Sequence, residues 1–211
     1  MKPLKICRLY AILDTGYVAP DRLLDMARAI IRGGADILQL RAKKQGDEEI
    51  LQIAPAIRDL ASAAGVPLII NDRPRLAGQL DAAGVHVGQD DMTVKEARRL
   101  LVKKGYVGKS THSAVQIGAT LAEKPDYIAV GPVYATPTKP DYPPVGLELV
   151  KHAVAKVAIP FFCVGGIKLE NVDEVLAAGA KRIVVVSGIL LAKDPEEYTK
   201  QLKQKLAEKK K

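Results

Sequence analysis

The chain has 211 residues, of which 48% are hydrophobic and 27% charged, enough apolar material for one domain spanning 1–211 with its own core. Lys and Arg total 32 against 24 Asp and Glu, a net charge of +8 that favours anionic ligands, while the absence of Trp and a 4% aromatic content argue against a nucleic-acid stacking surface. Cys7 and Cys163 lie far apart with no secretory leader, and the apolar runs fall well short of the roughly 20 residues of a membrane span, so a reduced, cytoplasmic protein is expected.

Taken in order, the apolar runs predict strands near 8–13, 35–40, 66–70, 84–87, 106–110, 126–130, 160–164 and 181–186, with amphipathic segments between them. This alternation is that of a parallel sheet, and eight strands is the number that closes a (β/α)8 barrel. Asp21 is the expected cap of a helix carrying Leu23, Leu24, Ala27, Ile30 and Ile31 on one face, and Thr93 precedes Val94, Ala97, Leu100 and Leu101 in the same 3.6-residue rhythm. Further helices are expected after Ser113, near Gly146 and near Leu169. A short one should open at Ser187, and a last one after Asp194-Pro195, with Asp194 as cap. The terminal lysines, Lys200, Lys203, Lys205, Lys209, Lys210 and Lys211, read as a solvated helix end.

In such a barrel the residues that follow the strands meet on one rim, where barrels carry their chemistry. Gln39 and Arg41 share one face of strand 2, and Lys43 lies just beyond. Arg41 needs a phosphate there, or alternatively an internal ion pair with a neighbouring Asp. Asn71-Asp72 ends strand 3 and Asp90-Asp91 follows strand 4. Asp72 and Asp91 together suit one magnesium ion, which needs only one or two carboxylates because water and phosphate oxygens complete its shell, with Asp90 in reserve. Singly, either Asp would serve as a helix cap or as a partner for Arg73 or Lys95. The long loop from Gly131 to Pro144 carries prolines at 132, 137, 140, 143 and 144 and reads as a semi-rigid flap presenting Thr136, Thr138 and Lys139. Gly165-Gly166 after strand 7 and Ser187 after strand 8 occupy the usual barrel phosphate position. No zinc spacing and no nucleophile triad emerges. His86 and His152 fall inside a strand and a helix, Cys163 reads as a core residue, and His112, near Ser110, is the one histidine placed to take part in chemistry.

The stretches Tyr10-Ala-Ile-Leu-Asp14, Gln39-Leu-Arg-Ala-Lys43, Ile70-Asn-Asp-Arg73, Gly84 to Asp91, Ser110-Thr-His112, Gly131 to Lys139 and Gly165-Gly-Ile167 resemble, in order and over nearly the whole chain, the thiamine-phosphate synthase family. The resemblance implies a TIM barrel that joins 4-amino-2-methyl-5-hydroxymethylpyrimidine diphosphate to thiazole phosphate, or its carboxylated form, and releases pyrophosphate. It implies that Gln39 to Lys43, including Leu40 and Ala42, hold the pyrimidine diphosphate with Asn71, Ser110 and Lys139, and that Asp72 and Asp91 hold magnesium. Thiazole phosphate would meet Thr136, Pro137, Thr138, Gly166, Val186 and Ser187. Arg41, Lys43, Ser110 and Lys139 would stabilise the departing pyrophosphate and no covalent intermediate would form. Tyr134 stands where many relatives have phenylalanine, and Pro137 separates the loop threonines.

The nearest rival is a thiazole tautomerase, which would have little use for Arg41, Lys43, Asp72, Asp91 and Lys139 together. A basic nucleic-acid binder is less compatible with the composition. The partners expected are therefore two small phosphorylated molecules, with neither nucleic acid nor membrane; a homo-oligomer is compatible with the sequence.

Overall fold

Each expected strand forms, and each pairs in parallel with the next. A computed structural model describes residues 2–101, 104–138 and 142–208. In it β1 (Leu9–Asp14), β2 (Ile37–Arg41), β3 (Leu68–Asn71), β4 (Gly84–Val87), β5 (Tyr106–Thr111), β6 (Tyr127–Val130), β7 (Phe161–Cys163) and β8 (Ile183–Val185) form a closed barrel in that order. Closure is made where β8 returns to β1, with Leu9 opposite Ile183 and Tyr10 opposite Val184.

Alternation along the strands separates two cores. Leu9, Ala11, Leu13, Leu38, Leu40, Val85, Val87 and Val107 face outward into the layer beneath the helices. Tyr10, Ile37, Ile69, Tyr127, Phe162 and Val184 fill the barrel's interior. Towards the strands' C-terminal ends the interior parity passes from apolar to polar: Ile37 is followed by Gln39 and Arg41, Ile69 by Asn71, and Gly108 by Ser110.

The helices are α1 (Leu23–Arg32), α2 (Asp47–Ala63), α3 (Pro74–Gln79), α4 (Val94–Leu100), α5 (Ala114–Ala122), α6 (Gly146–Lys156), α7 (Val172–Ala177), α8 (Ser187–Leu190) and α9 (Pro195–Glu208). Thr93 closes a capping box with Glu96, Ser113 accepts from the Gln116 amide, and Asp194 accepts from that of Glu197 at 3.0 Å, as the sequence predicts. Asp21 is not a cap. Pro20 opens a 3-10 turn, Pro20–Arg22, and α1 starts behind it from Arg22 with no side-chain cap, so Asp21 is carried inside the turn. The helix expected near Leu169 begins at Val172, after a turn in which Asn171 Oδ1 accepts from the Lys168 amide at 2.8 Å.

The lysines of α9 are less solvated than expected. Lys203 and Lys2 both pair with Asp36, which is buried and also accepts from the amides of Arg8 and Leu9 at 2.8 and 3.0 Å. Lys205 pairs with Asp173; Lys209, Lys210 and Lys211 lie outside the described residues. Gly33 allows α9 to lie against the end of α1, since a Cβ there would come within 2.5 Å of Thr199 Cβ. Cys7 and Cys163 are both buried and unbridged, and burial pushes the Cys163 thiol up to about 12. Among the described residues no helix is long and apolar enough to cross a membrane.

Candidate active site

One cavity opens at the C-terminal ends of the strands. Gln39, Arg41, Asn71 and Ser110 line one side, and Thr136, Thr138, Gly166, Val186 and Ser187 the other.

On the first side, charge is arranged in pairs. Asp14, on the interior face of β1, is buried and receives Arg41 Nη1 at 2.5 Å and the Gly16 amide at 2.8 Å. The internal ion pair therefore forms, yet Arg41 still lines the cavity, with further guanidinium N–H groups to offer an anion. Lys43 pairs with Asp72. Asp72 has φ +59°, a left-handed conformation that costs a non-glycine residue energy, and its amide donates to the carbonyl of His86 at 2.8 Å. Burial raises its pKa; the ammonium of Lys43 opposes this, and the neighbouring Asp91 carboxylate adds to it. Asp91 Oδ2 accepts from the Gly88 amide at 2.6 Å.

Neither the helix-cap reading nor the Arg73 pairing holds for these aspartates. Arg73 pairs with Asp47 and donates to the carbonyls of Ala42 and Gln45, not to Asp72. The side-chain cap of α4 is Thr93, and α3 has none. Two carboxylates thus lie side by side, one of them paired with an ammonium, a donor set that suits a hard divalent cation. No group of three or more His, Cys, Asp or Glu that could hold a metal occurs among the described residues. The pair therefore fits magnesium completed by water and phosphate oxygens better than a metal caged by protein alone. Asp90, the reserve ligand, instead accepts from Tyr142 Oη of the long loop at 3.1 Å.

On the second side the backbone shapes the wall. Gly165 and Gly166 have φ of +99° and +63°, and a Cβ on Gly166 would lie 2.6 Å from the Ala135 carbonyl oxygen. Gly166 O accepts from Asn171 Nδ2 at 2.9 Å. Tyr17 Oη and Thr138 Oγ1 are 3.0 Å apart, and Tyr134 Oη donates to Glu174 at 2.9 Å, so the loop is tied down at both threonine and tyrosine. Pro137 is exposed between the threonines. Leu40 and Ala42 turn their side chains into the outer core and have only backbone to offer a ligand. Lys139 lies outside the described residues.

His112 is held apart from proton transfer at one nitrogen: a carbonyl can only accept, so Nδ1–H donates to Gly131 O at 2.5 Å, while the ring lies 4.6 Å from that of Tyr142. Sequence reasoning missed Asp14, Tyr10, Tyr127 and His86. His86 lines the cavity with Nε2 at 2.9 Å from Ser110 Oγ. The available signal was two-residue parity: in Gly84-Val-His-Val87 the valines face the helices, which sends His86 inward.

A closed parallel barrel whose polar side chains converge on the C-terminal rim defines an enzyme of the TIM-barrel class. Residues 9–189 match the family described as thiamine monophosphate synthase, and the chain belongs to that family. It is 46% identical over 184 residues to the thiamine-phosphate synthase of Thermus thermophilus, covering 87% of this chain and 88% of the relative. Identity to the thiamine-phosphate synthase of Chloroflexus aurantiacus is 41% over 197 residues, covering 93% and 91%. The solved structure of thiamine phosphate pyrophosphorylase from Pyrococcus furiosus superposes with a TM-score of 0.88 at 29% identity, covering 96% of both chains.

Proposed function

We propose that this rim joins 4-amino-2-methyl-5-hydroxymethylpyrimidine diphosphate to thiazole phosphate, or to its carboxylated form, yielding thiamine phosphate and pyrophosphate in the cytoplasm. Thiamine-phosphate synthase activity follows from family membership. The observation that carries the substrate assignment is the two-sided cavity: Arg41 in its wall, with the Lys43–Asp72 pair beyond the strand ends, suits a diphosphate, and the glycine and hydroxyl wall at β7 and β8 suits a smaller phosphate.

Arg41 and Lys43, with Lys139 as a third cation, would meet the diphosphate oxygens and so favour departure of pyrophosphate from the pyrimidine methylene. Gln39, Asn71 and Ser110 would hold the ring. Departure of pyrophosphate with the carbon–oxygen bonding pair would leave a resonance-stabilised pyrimidine cation, and Thr136, Thr138, Gly166 and Ser187 would hold the thiazole phosphate so that its ring nitrogen captures that cation. Asp72 and Asp91 would hold magnesium, whose charge would offset that of the leaving group. No protein nucleophile is needed, and the buried, unreactive Cys163 is in keeping with that. The rival tautomerase reading gains no support, because His112, its natural proton carrier, spends Nδ1 on Gly131.

The test is pyrophosphate release with both substrates, with and without magnesium. Release is expected only with all components, and Asp72→Ala and Asp91→Ala are each expected to abolish the magnesium-dependent rate. An undiminished rate in either variant would reject its ligand assignment, and absence of thiamine phosphate from the wild type would reject the function.

A further inference from the structure

Beneath the cavity a continuous hydrogen-bonded chain crosses the barrel from β2 to β5. Gln39 Nε2 donates to Tyr10 Oη at 2.6 Å, Tyr10 Oη and Tyr127 Oη are 3.1 Å apart, Tyr127 Oη and His86 Nδ1 are 3.1 Å apart, and His86 Nε2 and Ser110 Oγ are 2.9 Å apart. Tyr10 and Tyr127 are 1% and 0% exposed, so their hydroxyls have no water to turn to. The chain depends on a glycine: a Cβ at Gly108 would stand 2.1 Å from Tyr127 Cζ, so only a bare backbone in β5 leaves room for that hydroxyl to reach the axis.

Each hydroxyl has one proton, so with Gln39 Nε2 as donor at one end the rest of the chain takes a single direction. Burial pushes the pKa of both tyrosines well above the ordinary value, which keeps both protonated. Tyr10 accepts from Gln39, so its proton goes to Tyr127. Tyr127, having accepted, gives its own to His86 Nδ1. His86 must then be the Nε2–H tautomer and donate to Ser110 Oγ. Ser110 is left with its O–H to direct into the cavity, and Gln39 with Oε1, which takes no hydrogen bond from another described residue.

We infer that Tyr10, Tyr127 and His86 are positioning residues forming a polarised relay that presents Gln39 as an acceptor and Ser110 as a donor at the same time, so that the site selects a heteroaromatic ring whose edge offers an amino donor and a ring-nitrogen acceptor. This rests on the proposed pyrimidine diphosphate reading, and it supplies a reason why an aminopyrimidine is preferred to its oxo analogue. In the lactam form of a 4-oxo ring the carbonyl would face Gln39 Oε1 and the ring N–H would face the Ser110 proton, leaving both pairs mismatched. A site built on buried hydrogen bonds discriminates strongly against such an inversion because the unmatched groups cannot rehydrate.

Two measurements test the relay. Long-range 1H–15N correlation on 15N-histidine-labelled wild-type protein is expected to show His86 protonated at Nε2 and bare at Nδ1; the opposite tautomer would overturn the proposal. In steady-state assays Tyr127→Phe is expected to raise KM for the pyrimidine diphosphate and to narrow the preference for the 4-amino over the 4-oxo substrate by about tenfold or more, with KM for thiazole phosphate unchanged. Tyr10→Phe, which cuts the chain one link earlier, is expected to do the same and serves if Tyr127→Phe does not fold. An unchanged preference in a folded variant would overturn the relay while leaving the synthase reading intact. A wild type that makes no thiamine phosphate would overturn that reading, and the tautomer measurement would still decide the direction of the relay.

Discussion

Arg41 stands at the mouth of the barrel because Asp14 holds it there. The carboxylate is buried on the neighbouring strand, pairs with Nη1 at 2.5 Å, and is itself fixed by the Gly16 amide. Removing it would leave a guanidinium that is only 16% exposed without a partner inside the barrel wall. Asp14→Ala is therefore expected to cost about 2–4 kcal/mol of stability, read from urea unfolding, and to raise KM for the pyrimidine diphosphate by tenfold or more. Gln39 and Arg41 are legible in the sequence because their two-residue spacing puts them on one strand face, and Lys43 because it follows just past the strand end. Asp14 is not, since a partner 27 residues away becomes a neighbour only when β1 pairs with β2. His86 is hidden for another reason: a lone histidine in an apolar strand reads as core unless the parity of the flanking valines is followed inward.

At the scale of elements, the long β6–α6 loop and the β7 turn fold against each other. Gly166 takes φ +63° and leaves no room for a Cβ beside Ala135 and Tyr134. Gly166→Ala is expected to displace the loop, raising KM for thiazole phosphate at least about tenfold while costing about 1–3 kcal/mol in thermal unfolding. A variant with unchanged KM for thiazole phosphate would remove Gly166 from that subsite. The glycine pair, the threonines and the strand-end carboxylates were all visible in the sequence, because glycine and proline mark backbone requirements locally. The tyrosine ties that pin the loop, Tyr17 to Thr138 and Tyr142 to Asp90, were not, since they join segments far apart in the chain. The expected cap at Asp21 fails for a local cause, the 3-10 turn that Pro20 begins one residue earlier.

Across the whole molecule, Asp36 ties the N-terminal segment, the entry to β2 and α9 into one unit. Its burial alone would raise its pKa, but hydrogen bonds from Lys2 and Lys203 and from the amides of Leu9 and Arg8 outweigh that and leave it lowered. A carboxyl whose pKa is lower in the folded than in the unfolded chain stabilises the fold above its unfolded value of about 3.9, and that stabilisation disappears as pH falls through the folded value. Urea midpoints measured from about pH 6 to about pH 2 are expected to drop in this window, and Asp36→Asn to be less stable at the upper end but with a shallower acid limb. A wild-type and a variant curve that fall in parallel would assign the acid sensitivity elsewhere. Barrel closure itself is legible from the count of eight apolar runs, whereas the seam between β8 and β1 and the docking of α9 on Gly33 depend on contacts between the two ends of the chain.

The aromatic floor of the barrel also governs traffic. Tyr10, Tyr127 and Phe162 meet edge to face with centroids 5.4 to 6.0 Å apart and are buried, a packed aromatic layer beneath the cavity. Gln39, 2% exposed, bonds to that floor through Tyr10, while Thr136 and Ser187, both half-buried, line the opposite wall of the cavity. With the pyrimidine ring proposed to rest on Gln39 and the thiazole phosphate against Thr136 and Ser187, the diphosphate is expected to add first, an order that product-inhibition patterns would check.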